Sequence, residues 1–349
     1  MVNNGSYVNF ADMKYSFIIP VYNRPDEVDE LLASLCTQTL RDFEVVIVED
    51  GSAIPCKDVV ERYASQLDIH YYEKPNSGPG QTRNYGVERA AGDYVLILDS
   101  DVVLPEGYLQ AVDDELNRKD SDAFGGPDRA HPSFTPMQKA INYAMTSFFT
   151  TGGIRGGKKQ MDKFYPRSFN MGVRTSVYKA LEGFSKMRFG EDIDFSTRIF
   201  KGGYACRLFP EAWVWHKRRT DLKKFFKQVH NSGIARINLT KRHPGTLKLV
   251  HLLPAVFTAG CALLILLTII GLLCGCLQSL WLLTPFALFA TIIFVDATRL
   301  EKSAGVGCRA VLAAFVQLTG YGSGFLRAVW QRCILGRGEF EAFKKNFYK

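Results

Sequence analysis

At 349 residues the chain is long enough for one large domain or two ordinary ones, each with a buried core. Its eight cysteines, Cys36, Cys56, Cys206, Cys261, Cys274, Cys276, Cys308 and Cys333, lack the paired spacing of a zinc site or a disulfide framework, which fits a reducing compartment. The formal charge of +8 is concentrated, because between Lys217 and Lys248 ten Lys and Arg stand against one acid, Asp221. A basic cluster alone suggests nucleic acid, but this one runs directly into an uncharged apolar region. That position favours anionic lipid headgroups or a lipid-linked phosphate, and no nucleic acid is expected.

The first 125 residues alternate between two periods. Met1 to Tyr15 lacks the basic stretch and apolar run of a signal peptide, so the domain behind it is expected in the cytosol. Ser16 to Val21 is a short apolar run. Pro25 then opens an amphipathic segment with Val28, Leu31, Leu32 and Leu35 on one face, and proline suits a first helical turn, where its missing N–H would be unpaired anyway. Phe43–Val48, Ile69–Tyr72 and Tyr94–Leu98 are further β-rich runs, with helical patterns at 57–66 and 80–91 between them. Strands separated by such helices predict βαβ units and a parallel sheet covered on both faces. After Gly126 the regularity fails, leaving a helical stretch at 137–149 and a glycine-rich loop at 151–157. It resumes with a strand over Ser168–Val173, a helix from Thr175, a helix over Glu191–Phe200 and strands at 204–209 and 212–216.

From Leu249 to Val295 there is no Asp, Glu, Lys or Arg. Two spanning helices need about 20 residues each to cross a ~30 Å hydrocarbon core, and this run holds more than that. It divides best at Gly275–Ser279, into helices of about 249–273 and 280–296. Basic residues precede the first helix, and Arg299, Lys302 and Arg309 follow the second, as the positive-inside rule asks of two spans. A third apolar segment, 310–330, is softened by Gln317, Gly320, Tyr321, Gly322, Ser323 and Gly324. A third crossing would place the basic tail outside, so an interfacial or re-entrant segment is expected there. The organisation read from the sequence is a cytosolic domain over 1–230 with halves at 14–125 and 126–217, a basic neck at 217–248, a membrane region at 249–330 and a basic cytosolic tail at 331–349. This would be a multi-pass protein of the cytoplasmic membrane.

Asp99-Ser100-Asp101 closes the run Tyr94–Leu98. Side chains two apart on a strand share a face, so both carboxylates can converge beyond the carboxyl end of a parallel strand, the edge at which open α/β sheets bind ligands. Two hard oxygen ligands suit Mg²⁺ or Mn²⁺ bridging to a diphosphate. Acidic residues in turns are common, and the pair gains meaning from its neighbours. Those are Ile18–Arg24 (IIPVYNR), Val46–Ser52 (VIVEDGS), Asn76–Asn84 (NSGPGQTRN) and Gly92–Asp101 (GDYVLILDSD).

In order and spacing these segments resemble the donor half of family 2 glycosyltransferases, which have the GT-A fold. The resemblance covers about residues 14–217 and is most specific through residue 110. It implies a mostly parallel, Rossmann-like α/β sheet and a nucleotide-diphosphate sugar as donor, with uridine as the preferred base. It further implies that Pro20, Tyr22, Asp50 and Arg83 line the nucleotide: Tyr22 against the base, Asp50 on its polar edge, Arg83 near base or phosphate. Asp99 and Ser100 join that donor-binding set. The family carries an acidic pair where Glu191 and Asp192 stand here, and its second member is the base that deprotonates the acceptor hydroxyl. On that mapping Asp192 is the base and Glu191 its neighbour. Sugar hydroxyls ionise far above neutral pH, so a positioned carboxylate has to take the proton as attack proceeds. One base and no covalent nucleophile implies direct displacement with inversion. His216 stands where some relatives place a third metal ligand, and the loop at 151–157 would suit a flap over donor or acceptor phosphate. A helix start is the plain alternative for the acids at 191, 192 and 194, which complement its dipole.

Processive synthases of this family carry Gln-x-x-Arg-Trp after the acidic pair, and Glu211 to Arg219 has no such motif. Single-sugar addition is therefore expected, to a lipid-linked or envelope glycan acceptor. Two rivals remain. A nucleotide-binding membrane scaffold or transport component would leave Asp192 unexplained, and apolar helices without intramembrane carboxylates make a poor pathway. A nucleotidyltransferase would share the sheet and metal but commonly has a Gly-rich, Lys/Arg-bearing loop where Pro20-Val-Tyr-Asn23 stands.

Overall fold

The structure is a computed structural model, and it describes residues 15–151, 164–187 and 189–339. In chain order the first elements are β1 (Tyr15–Val21), α1 (Pro25–Cys36), β2 (Phe43–Asp50), α2 (Lys57–Tyr63), β3 (Ile69–Lys74), α3 (Pro79–Val87) and β4 (Tyr94–Leu98). Next come β5 (Val102–Val103), α4 (Tyr108–Arg118), β6 (Ala123–Gly125), β7 (Asp128–Arg129), α5 (Pro136–Thr146) and α6 (Phe148–Thr151). They are followed by β8 (Asn170–Arg174), α7 (Thr175–Ala180), α8 (Glu191–Lys201), β9 (Cys206–Leu208) and β10 (Val214–His216). The last are α9 (Leu222–Arg242), α10 (Leu253–Leu273), α11 (Thr284–Glu301) and α12 (Ala304–Ala328). Two compact units contain them, one from 15–129 and 164–216 and the other from 130–151 and 217–339.

In the first unit a seven-stranded sheet has the order β3-β2-β1-β4-β8-β6-β9. Its first four strands run parallel. Their alternate residues feed two cores: Phe17, Ile19, Val45, Ile47, Leu96 and Leu98 on one face, Ile18, Val46, Val48, Val95 and Ile97 on the other. Each such side chain stabilises the fold by about 1.5–3 kcal/mol when fully buried, so continuous apolar runs on this sheet become two-sided strands. The sheet is mostly parallel, as expected, and the exception is β8, which is antiparallel to both β4 and β6. The chain leaves β6 and re-enters at β8 from the same sheet edge, and a connection that returns at one edge gives an antiparallel neighbour without a crossover. The start of β8 thereby lies at the carboxyl ends of β1, β2 and β4. A second sheet, β5-β10-β7, pairs His216 with Val102 antiparallel and Val214 with Asp128 in parallel.

The second unit is helical. Residues 130–151, expected with the acceptor half, pack here instead. Ala140, Ile141, Tyr143 and Ala144 of α5 share a core with Phe225 and Val229 of α9, Ile293 and Ala297 of α11, and Ala310, Ala313 and Ala314 of α12. The basic neck is helix α9, whose Asp221 cap accepts from Lys224 N–H at 2.8 Å. It buries Phe225, Val229, Ile234 and Ile237 while Lys223, Lys224, Lys227, Lys241 and Arg242 stay exposed.

The expected re-entrant segment at 310–330 is one continuous helix, α12, with most of one side buried. The residues that make its sequence soft are the ones that let it pack. A Cβ on Gly320, Gly322 or Gly324 would lie within 2.5 Å of Val229, the Pro254 carbonyl or the His230 carbonyl respectively. Small residues allow such close approach of helix backbones. The segments Leu249–Leu273 and Leu277–Glu301 are long and apolar enough to cross a membrane by length and composition. Only 6% and 11% of their most apolar windows are buried in the protein, so most of their apolar surface is left outside the core to which Ile293 and Ala297 contribute. α11 extends past the expected end near 296, and there Asp296 accepts from the Tyr143 hydroxyl at 2.6 Å.

Candidate active site

The strand order reverses direction between β1 and β4, and β1 pairs with β4 only as far as Ile18↔Ile97 although it pairs with β2 through Val21. A gap opens there at the carboxyl edge, the switch point where such sheets hold ligands. Pro20 is tolerated within β1 because it lies beyond the β4 pairing. Tyr22 follows it, partly buried. Asn23 has φ +52°, and its side-chain oxygen accepts from the N–H groups of Ala53 and Ile54 at 2.7 and 2.9 Å. The loops after β1 and β2 are thereby tied together.

Asp50, expected on the base's polar edge, is 2% exposed and turned inward. One oxygen accepts from Ser77 N–H and the other from Gly78 N–H, both at 2.9 Å, and Lys74 pairs with the carboxylate as well. Gly78 has φ +90°, a conformation open to glycine, which starts α3. These bonds brace the 74–78 loop around Asp50, which the resemblance placed at the polar edge of the base.

Arg83, on α3, is 3% exposed and joins the two acidic motifs. Its guanidinium donates to Asp99 Oδ1 at 2.7 Å and to Glu191 Oε1 at 3.3 Å, and it lies 5.2 Å over the Phe184 ring. Glu191, 9% exposed, begins α8 after Gly190. Burial pushes its carboxyl up to about 7; Arg83 opposes this, while Asp192 and Asp99 add to it. The three acids of this helix start have different fates. Asp194 is 1% exposed and holds Ser185 Oγ at 2.7 Å and Arg198 Nε at 3.0 Å, a structural role. Asp192 is only partly buried and faces Arg167 Nη1 at 3.3 Å.

Ser100 is buried between the two aspartates. Asp101 meets Arg24 Nη1 at 3.1 Å through one oxygen and His216 Nε2 at 3.3 Å through the other. The Phe169 ring stacks on the imidazole at 4.7 Å between centroids. Asp99, Asp101 and His216 each offer a ligand atom, and these atoms lie within 4.8 Å of one another. Two carboxylates and an imidazole fit Mn²⁺ or Mg²⁺. Sequence reasoning did not single out Arg24, Asp128, Arg167 or Phe169. Arg24 stood in a quoted motif, Asp128 and Arg167 lie where the periodicity fails, Phe169 lies in the strand expected over Ser168–Val173, and only the antiparallel return of β8 brings 167 and 169 to this edge. The loop at 152–157 lies outside the described residues.

The strand order, with its switch point between β1 and β4, describes a GT-A fold. Residues 16–181 match Glycosyl transferase family 2. It is 27% identical over 330 residues to a pre-mycofactocin glycosyltransferase of Mycobacterium tuberculosis, covering 91% of this chain and 65% of that protein. It is 36% identical over 101 residues to an uncharacterized glycosyltransferase of Rickettsia bellii, covering 29% of this chain and 15% of that protein. The chain thus matches less than two thirds of the length of either relative. The solved mannosyltransferase of Pyrobaculum calidifontis, in complex with GDP-Man and Mn²⁺, shares the fold with a TM-score of 0.56 at 17% identity, over 92% of this chain and 88% of that one. The expected family and the α/β GT-A fold are both borne out.

Proposed function

We propose that the chain transfers a single sugar from a nucleotide-diphosphate sugar, by inversion, to a hydroxyl of a lipid-linked or envelope glycan acceptor at a membrane. The observation that carries this is the convergence at one sheet edge of Asp99, Asp101 and His216 with Arg83, Glu191 and Asp192. Asp99, Asp101 and His216 would hold a Mn²⁺ or Mg²⁺ ion, and such an ion neutralises the charge developing on a departing diphosphate. Arg83 fixes Asp99 relative to α8, and so sets the spacing between the donor side and the acid pair. Asp192 accepts the acceptor's proton, and Arg167, 3.3 Å away, holds its carboxylate in place. Pro20 and Tyr22 border the nucleotide, and Asp50 contributes through the loop it braces. The Mn²⁺ and sugar-nucleotide complex of the Pyrobaculum enzyme supports the donor class, and the family resemblance favours uridine as the base.

The exposed apolar helices α10 and α11, next to the exposed lysines of α9, support anchoring to an anionic membrane with the first unit on the cytosolic side. The test is to incubate the full chain with a panel of nucleotide sugars and Mn²⁺ in lipid nanodiscs and to identify the phosphate product. Nucleoside diphosphate together with a glycosylated lipid is expected. Pyrophosphate would identify a nucleotidyltransferase, and saturable binding without turnover on any acceptor would leave a nucleotide-binding scaffold.

A further inference from the structure

His216 is the last residue of β10, held between two neighbouring strands. On one side it pairs with Val102 of β5, directly after Asp101. On the other, Val214 pairs with Asp128 of β7 in parallel register. Residues opposite each other in a ladder share a face, and so do residues two apart along a strand. Asp128 therefore lies on the same face as His216, one pleat behind it. The side chains complete the arrangement: Nε2 of His216 faces Asp101 Oδ1 at 3.3 Å, and Nδ1 lies 3.8 Å from Asp128 Oδ2, an ion-pair separation that a small turn of the ring would shorten to a hydrogen bond. The imidazole is thus lined up between two carboxylates while Phe169 covers one of its faces.

A neutral imidazole has one N–H and one lone pair, and the hydrogen bond at one nitrogen decides which face of the ring is left to bind a metal. Histidines that hold metals commonly donate their other N–H to a carboxylate, which fixes the ring and strengthens it as a ligand. We propose that Asp128 is a positioning residue for the cation site: it takes the Nδ1–H of His216 and so directs the Nε2 lone pair at the space shared with Asp99 and Asp101. Asp128 contributes no ligand atom of its own. This inference rests on the cation site proposed above and adds a residue to it that neither periodicity nor motif singles out.

The test is Mn²⁺ binding to the full-length protein, followed by electron paramagnetic resonance without any sugar donor. Asp101→Ala is expected to remove binding, while His216→Ala and Asp128→Asn are each expected to weaken it by about 10–100-fold. Asp128→Asn in the His216→Ala background should cost nothing further, because its effect passes through the ring. In wild type, pulsed spectra should show ¹⁴N coupling to the ion, altered in Asp128→Asn and restored in Asp128→Glu. Wild-type Mn²⁺ affinity and ¹⁴N coupling in Asp128→Asn would overturn the assignment. So would a further loss of similar size on adding Asp128→Asn to His216→Ala. If Asp101→Ala and His216→Ala also bind as wild type does, the cation site itself is misplaced and Asp128 has no part in it. Thermal unfolding without Mn²⁺ confirms that each variant is folded. Should Asp128→Asn fail that check, Asp128→Ser in both backgrounds carries the comparison.

Discussion

Glu191→Gln separates the stability cost of the buried acid from its place in the site. The carboxyl is buried beside Arg83, and its pKa stands at about 7 against 4.5 for an ordinary glutamate. At about 1.4 kcal/mol per pH unit, that difference corresponds to about 3 kcal/mol. The sign follows from proton counting. Between pH 4.5 and 7 the folded protein keeps a proton on Glu191 that the unfolded chain has released. The stabilisation is therefore complete below pH 4.5 and is lost as pH rises through about 7. Glutamine keeps the shape and an oxygen for Arg83 but cannot ionise, so the variant should lack this loss. Relative to wild type it should gain about 3 kcal/mol on going from pH 4 to pH 8. Thermal unfolding of both proteins across that range, in one detergent and at fixed ionic strength, measures the difference. Parallel curves would refute the argument, as would a variant that loses ground with rising pH. Donor binding by the variant should weaken only modestly, since Arg83 keeps its 2.7 Å bond to Asp99.

Asp192→Asn should bind donor normally while transfer falls by roughly 10²–10⁴-fold, the usual worth of a general base, as read by single-turnover kinetics; lost donor binding with normal turnover per bound donor would make Asp192 a helix-start residue. Gly322→Ala places a Cβ 2.2 Å from the Pro254 carbonyl oxygen, where backbone has to move. It should destabilise the protein by about 1–3 kcal/mol, seen as a lower unfolding temperature, and an unchanged midpoint would mean that α12 and α10 pack less closely than described. Reversing charge at Lys223, Lys224 and Lys227 should weaken binding to anionic vesicles by about 1 kcal/mol per residue. That loss should fade with salt because screening acts over about 8–10 Å, and salt-independent binding of the variant at wild-type strength would remove these lysines from the membrane surface.

The sequence by itself determined the features that depend on near neighbours. The apolar runs of β1, β2 and β4 and the amphipathic period of α1 are set by local burial and were legible in order and type, as were Asp99 and Asp101 at the end of a strand. The uncharged stretch gave two apolar helices for the same reason. Tertiary structure alone decided what depends on distant partners. Arg83 and Glu191 are 108 residues apart, and no periodicity links a guanidinium on α3 to the first residue of α8. β8 reverses the sheet because of where the chain re-enters, a property of the path between strands that its own five residues do not encode. The glycines and polar residues that soften the apolar segment 310–330 carried no sequence signal for packing, whereas in the fold the glycines' lack of a side chain lets α9 and α10 pack against α12. Asp128 carried no signal at all, since its meaning comes from the ladder that sets it one pleat behind His216.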